Sequence, residues 1–285
     1  MSKFFDETIK ARTSAVPTDS VKLPGVQELL DVPTAPVPPS SDLGGSRLEQ
    51  CRKVRIPTSN LLHVQFKGSD SVEPAEESYR ALRTRLLRLR ATQGLRSVMV
   101  TSATQGEGKT LTALNLALSC AQLHDMRVLL IDGDIRSRGL TQSLGLPSSP
   151  GLADVLSGQC TAAKAIVVTD MPNLYVASCG SPSMPPAELF ASRRWQDFIG
   201  WCNESFKVIL VDAPPVLNLA DADLMAAACD GVLMVVRARY AQRAVLRRSA
   251  GQIDPKKLLG VVYNAVESGA NRYHYQPYDV SPKGK

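Results

Sequence analysis

Residues 103–110, ATQGEGKT, are the residue types that hold a polyphosphate. Gly106 and Gly108 let the backbone bend around phosphate oxygens, with the amide N–H groups of the loop turned inward. The expected nucleotide-binding run is Thr104, Gln105, Gly106, Glu107, Gly108, Lys109, Thr110 and Leu111. Lys109 is long enough to reach the β- and γ-phosphates, and the Thr110 hydroxyl suits Mg²⁺. Ala103 stands at the opening position, which is often glycine. A second stretch, LLIDGDIR at 129–136, brings Asp132 and Asp134, and then Arg136. A third, KVILVDAPP at 207–215, brings Asp212. Three carboxylates close together repel one another unless a metal ion and cationic side chains stand among them. The chemistry these types imply is metal-assisted phosphoryl transfer from ATP.

Each motif must sit at the end of something rigid. Short aliphatic runs precede all three, and the spacing predicts strands at 97–102, 127–132, 173–178, 207–212, 231–236 and 258–264. Amphipathic helical patterns alternate with them, so the expected architecture is α/β: a three-layer fold with a mostly parallel central sheet flanked by helices. Ligands of such sheets bind beyond the carboxyl ends of the strands. That places the glycine loop, Asp132 and Asp212 at one rim. Asp134 lies two residues past Asp132, so on an extended segment both would face one pocket.

Ahead of the sheet, residues 75–90 read as a helix with Tyr79, Leu82, Leu86 and Leu89 as one apolar stripe. Glu76 and Arg80 on it have i,i+4 spacing, which suits an ion pair. Residues 1–70 are Pro- and Ser-rich with two apolar islands, VQELL at 26–30 and LLHVQF at 61–66, and are expected to be a disordered or partner-docking leader. The domain is expected at 71–266, and a flexible tail at 267–285 contains Tyr273, Tyr275 and Tyr278.

Composition narrows the class. The 44% apolar content is ample for a core, and a net charge of +6 by itself selects no partner. Aromatics are only 5% with no stacking motif, so nucleic acid is not an expected ligand. The six cysteines show no metal-ligand spacing and read as buried thiols of a reducing cytoplasm. The opening MSKFFDETIK has no apolar core of a signal peptide, and no apolar run reaches the ~20 residues of a spanning helix. Any membrane role is expected to run through a partner.

With these residues in view, the chain from about Glu76 onward resembles the bacterial tyrosine kinases of capsule and exopolysaccharide assembly, within the partition-type P-loop ATPases. Their pattern is a Walker A loop, a Walker A′ of three aliphatics then DxDxR, and a Walker B ending DxPP; here these are ATQGEGKT, LLIDGDIR and ILVDAPP. The resemblance implies ATP and Mg²⁺ as cofactors, with Thr110, Asp132 and Asp212 around the metal. It implies that Asn264 contacts adenine, and that Glu77, Arg80 and Arg83, in ExxRxxR spacing, line the interface of a ring-like homo-oligomer. It implies autophosphorylation of Tyr273, Tyr275 and Tyr278. It also implies a membrane adaptor or polysaccharide co-polymerase, a cognate tyrosine phosphatase, and a cytoplasmic location at the inner face of the plasma membrane. Either Asp134 or Asp132 would take the phenol proton, while Arg136 would bind phosphate or orient the acidic pair.

Two departures stand out. Arg138 occupies a position usually held by proline, and Thr104 stands where partition ATPases carry a signature lysine. The rival readings are a partition-type ATPase switch and a non-catalytic nucleotide-binding regulator of polysaccharide export.

Overall fold

The computed structural model describes residues 48–56, 74–217 and 220–266. Eight strands form one sheet in the order β1-β4-β5-β3-β6-β2-β7-β8. They are β1 (Arg52–Val54), β2 (Ser97–Ser102), β3 (Val128–Asp132), β4 (Ile166–Thr169), β5 (Leu174–Ala177), β6 (Val208–Asp212), β7 (Gly231–Arg237) and β8 (Leu258–Asn264). Every neighbouring pair is parallel except β4 with β5. The helices, among the described residues, are α1 (Pro74–Gln93), α2 (Lys109–Ala121), α3 (Gly139–Ser143), α4 (Leu152–Leu156), α5 (Ala162–Ala165), α6 (Pro186–Ala191), α7 (Arg193–Ser205), α8 (Ala220–Ala228) and α9 (Arg243–Ala250).

The three central strands are apolar on both faces because both are covered. Val98, Val128, Leu130, Val208 and Leu210 pack into one core with Leu114, Leu116 and Leu118 of α2 and Leu86 of α1. Met99, Leu129, Ile131, Ile209 and Val211 pack into the other with Trp195, Phe198 and Ile199 of α7 and Met225 of α8. Alternate residues of one strand thus serve opposite cores, which is why the runs read as continuously aliphatic.

The six strands expected from the sequence are all present; β1 and β4 are additional. β1 lies inside the stretch expected to be a leader, and it pairs in parallel with β4 at the edge of the sheet. Cys51 and Ile56 are buried at its two ends, and the Ile56 amide donates to Asp170 Oδ1 at 3.1 Å. A three-residue strand of sequence RKV has no apolar period to reveal it. The rest of residues 1–70, with both apolar islands, and the tail tyrosines Tyr273, Tyr275 and Tyr278 lie outside the described residues.

On α1, Leu86 is buried in this core and Tyr79, Leu82 and Leu87 pack against the cluster, Leu87 taking the place expected of Leu89. All six cysteines carry free thiols, and five are buried, with Cys160 half-buried.

Candidate active site

Strand order brings the motifs together. β6 lies between β3 and β2, so the ends of three adjacent parallel strands release Asp132, Asp212 and the glycine loop at one rim. In the ladder Asp132 is the register partner of Asp212, and the Gly133 amide donates to the Asp212 carbonyl at 2.8 Å.

The loop from Ala103 to Gly108 turns straight into α2. Gly106 (φ +85°) and Gly108 (φ +91°) both lie in the left-handed region that disfavours side chains. A Cβ on Gly108 would strike the Asn264 amide, and one on Gly106 would come within 2.8 Å of the Tyr240 hydroxyl. Glu107 is fully buried, and its side chain faces the loop's own frame. Oε1 accepts from the Thr104 amide (2.7 Å) and hydroxyl (2.8 Å), and Oε2 accepts from the Arg237 amide at the end of β7 (3.2 Å). Asn264, the last residue of β8, donates Nδ2 to the Glu107 carbonyl at 3.0 Å. The cradle is therefore braced from β7 and β8 before any phosphate arrives.

The run expected to bind nucleotide thus divides by exposure. Gln105 sits with Gly106 in the turn at the tip of the loop, and both are exposed. Gln105 therefore stands on the open side of the loop, whereas Glu107, two residues on, is turned into its frame. Leu111, in the first turn of α2, is also exposed.

Lys109 is the hub of the charges. Its Nζ donates to Asp134 Oδ2 at 2.8 Å and stands 3.7 Å from Asp212 Oδ1. Burial alone would lower its affinity for the proton, but Asp212 and Asp134 outweigh burial and hold the ammonium above the ordinary lysine range. Burial pushes the Asp212 carboxyl up to about 7, against the opposing pull of Lys109. Burial also raises Asp132, opposed by hydrogen bonds from Thr141. The Asp132 Oδ2 atom accepts from the Thr141 amide (2.8 Å) and hydroxyl (2.6 Å), and that hydroxyl in turn accepts from the Cys179 amide (3.0 Å).

The acidic pair is presented differently from the expectation of two side chains pointing one way along a strand. β3 ends at Asp132, and the chain then turns, with the Arg138 amide donating to the Asp134 carbonyl at 2.7 Å. Asp134 meets Lys109 through Oδ2 and accepts from the Ser137 amide through Oδ1 (3.1 Å). Asp132 turns toward α3 instead, yet still adds to the field on Lys109.

Two buried carboxylate oxygens, Asp132 Oδ1 and Asp212 Oδ1, have no hydrogen-bond partner among the described residues. Buried acceptors are ordinarily satisfied. Asp134 and Asp212 flank one lysine and Asp132 adds to its field, which leaves negative charge over, so the unpartnered oxygens of Asp132 and Asp212 fit a divalent cation.

A family model described as an AAA domain matches residues 96–248. The chain is 33% identical over 218 residues to the tyrosine-protein kinase CpsD of Streptococcus pneumoniae serotype 4, covering 74% of this chain and 93% of that protein. It is 31% identical over 238 residues to the tyrosine-protein kinase wzc of Salmonella typhi, covering 81% of this chain and 32% of that protein. Among solved structures, the chimerical protein CapA2B2 superposes with a TM-score of 0.65 at 28% identity, covering 76% of this chain and 95% of that one. This chain belongs to the bacterial tyrosine-protein kinases. It spans nearly all of the pneumococcal relative and about a third of the Salmonella one.

Within this kinase several of the expected site residues have partners inside the chain. Arg136 is engaged by Asp221 of α8, Nε to Oδ2 at 2.8 Å and Nη2 to Oδ1 at 3.4 Å. Arg83, expected at an oligomer interface, donates Nη1 to the Ser119 carbonyl of α2 at 2.6 Å, so within the chain it ties α1 to α2. Arg80 pairs with the buried Glu76 and stands 3.8 Å from Glu77, which is exposed. Arg138 has φ +56°, which a proline ring cannot adopt, so the family's proline has no place in this turn. Thr104 is bound within the loop by Glu107. Thr141, Ser137 and Asp221 carry no signal in the sequence, since no spacing links them to the motifs they serve.

Proposed function

We propose that this kinase transfers the γ-phosphoryl group of ATP to its own tyrosines Tyr273, Tyr275 and Tyr278, and so regulates assembly of an extracellular or capsular polysaccharide. The observation that carries the reading is the placement of Lys109 between Asp134 and Asp212 above a braced glycine loop.

Before nucleotide arrives, the Lys109 ammonium neutralises Asp134. The β- and γ-phosphates offer Lys109 a stronger anionic partner in the loop, and Asp134 is then released. A phenol, with pKa ~10, is protonated at neutral pH and needs a carboxylate to take its proton as the O–P bond forms. Asp134 is the residue assigned that role. Asp132 is the less suited of the pair because Thr141 occupies its Oδ2. Thr110, Asp132 and Asp212 would hold Mg²⁺, which when bound supplies positive charge to the phosphate oxygens. The loop amides from Gln105 to Leu111 orient the phosphates, and Asn264 faces the adenine side. Atoms balance as ATP plus tyrosine giving ADP, phosphotyrosine and a proton that leaves through Asp134.

The acceptor tail begins just past β8. Tyr273 lies nine positions past Asn264, at most about 30 Å of extended chain, which allows transfer to a neighbouring subunit. The proposed assembly is a ring-like homo-oligomer with Glu77 exposed and Arg80 half-buried on α1, recruited to the inner face of the plasma membrane by a membrane adaptor or co-polymerase and reset by a tyrosine phosphatase. Among the described residues no helix is long and apolar enough to cross a membrane, in keeping with recruitment through a partner. Phosphate on the tail adds about −1.5 to −2 charges per site, enough to loosen a ring by repulsion.

The test is the fate of label from γ-labelled ATP and Mg²⁺ on the full chain. Protein-bound label that alkali does not remove supports the kinase reading. Label recovered only as inorganic phosphate would favour an ATPase switch.

A further inference from the structure

One buried charge at the rim is left over from this mechanism. Asp221 lies in the first turn of α8 and is 2% exposed, yet both its oxygens are committed to Arg136, whose side chain is half exposed. A buried carboxylate is costly to maintain, and a bidentate guanidinium pair fixes geometry as well as charge. What it fixes lies next to the reacting carboxylate. Arg136 is two residues from Asp134 in the same turn, and the Asp221 hydrogen bond, together with the field of Asp134, holds the guanidinium protonated. A guanidinium so placed has Asp134 as its natural local partner. Here it is turned instead to a carboxylate 85 residues further along the chain. The charges therefore run in one alternating row at the rim: Asp212, Lys109, Asp134, Arg136, Asp221.

We propose that Asp221 is a positioning residue for phosphoryl transfer. By holding the Nε and Nη2 edge of Arg136, it fixes where that guanidinium stands relative to Asp134 once Lys109 has turned to the phosphates. The inference rests on the kinase reading in which Asp134 takes the tyrosine proton. With Asp221 in place, the departure of Lys109 leaves Asp134 without a close cation. Without it, Arg136 swings onto Asp134 and replaces Lys109 as its partner, and the carboxylate stays occupied. Nucleotide binding is expected to be untouched, because the side-chain hydrogen bonds and ion pair of Asp221 among the described residues run to Arg136 and not to the loop, Lys109 or Asn264.

The experiment is steady-state autophosphorylation of the full chain, alongside the Kd of a non-hydrolysable ATP analogue and thermal melting, for D221N, D221E, R136Q and the D221N/R136Q double variant. The expected result is a kcat for D221N about 10- to 100-fold below wild type, of the order of one general-base contribution, with analogue Kd within twofold. D221E recovers at least a fifth of the wild-type kcat. The double variant recovers from the D221N loss, because the guanidinium that would occupy Asp134 is gone. A D221N kcat within twofold of wild type overturns the proposal, and so do losses that multiply in the double variant. Should D221N fail to fold, the double variant, which leaves neither charge unpaired, decides. A kcat within fivefold of wild type supports the proposal, and a lower one overturns it. D134N is measured in the same series. If it keeps the wild-type kcat, the base assignment itself fails, and that outcome is distinct from a failure confined to Asp221.

Discussion

Asp132 and Asp212 are register partners on adjacent parallel strands, and each presents a buried Oδ1 without a hydrogen-bond partner among the described residues. Two acidic residues directly opposite each other in a ladder are unfavourable in isolation. They are held in place by unlike means. Thr141 grips Asp132, while Lys109 and the side chain of Thr110 support Asp212.

This difference makes Asp212 a pH-sensitive element of the empty kinase. Its folded pKa of about 7 lies above the unfolded carboxylate value of ~3.9. The folded state thus binds more protons than the unfolded one between those values, so its contribution is fully present below the lower value and is lost as pH rises through the upper. Urea unfolding without nucleotide should show wild type losing stability relative to D212N between pH 5 and pH 8. An unchanged difference between the two would contradict the assignment.

Lys109→Met removes the cation that the carboxylates and the phosphates compete for. Transfer from ATP should fall by ~10²–10³-fold or more, the cost of deleting a transition-state charge partner. The empty protein should also melt lower, because Asp134 loses its ion pair and Asp212 its only nearby ammonium among the described residues. Autophosphorylation assays and calorimetry on the same preparation test both halves.

Thr141→Val strips one bond from Asp132 and leaves the Cys179 amide without its acceptor. Two buried polar groups lose a partner, at about 1–3 kcal/mol for each such loss. Thr141→Ser keeps the hydroxyl and should restore most of the stability. Denaturant titration of the three proteins is the measurement, and equal midpoints for Val and Thr would show that the hydroxyl does not matter.

Two truncations isolate β1. Relative to removing residues 1–46, removing residues 1–70 also takes away β1, uncovers the edge of β4 and deletes the buried Cys51 and Ile56, so melting should drop by several degrees between the two. Equal melting of both truncations would mean that β1 adds nothing to the sheet.

How much of this is legible in the sequence follows from where the information sits. The glycine loop, Asp132 and Asp212 are each announced by an aliphatic run that ends in them, so their convergence follows from parallel-sheet topology. β4 (IVVT) is hidden because four residues after a short helix carry too little period, and β1 because it carries none. The partner of Arg136 is illegible for a different reason. Asp221 and Arg136 belong to different strand–helix units, and only the packing of α8 beside the β3 turn brings them together. Arg83 is expected at an interface only through the ExxRxxR spacing of the resemblance, and no spacing in the sequence shows that its long side chain also reaches the Ser119 carbonyl within the chain. Gln105 and Glu107 look equally like parts of a phosphate cradle. One is exposed at the loop tip and the other is a brace, a distinction made only by the ends of β7 and β8.

The central claim is that this loop and these carboxylates move phosphate onto the kinase's own tail. Phosphopeptide mapping after incubation of the full chain with ATP and Mg²⁺ tests it most directly, with Lys109→Met and a Tyr273/Tyr275/Tyr278→Phe triple variant in parallel. The account predicts phosphate on peptides spanning Tyr273 to Tyr278 in wild type and none there in either variant. Tail phosphate that persists in purified Lys109→Met, or a wild-type tail that stays bare while ATP is consumed, would contradict it.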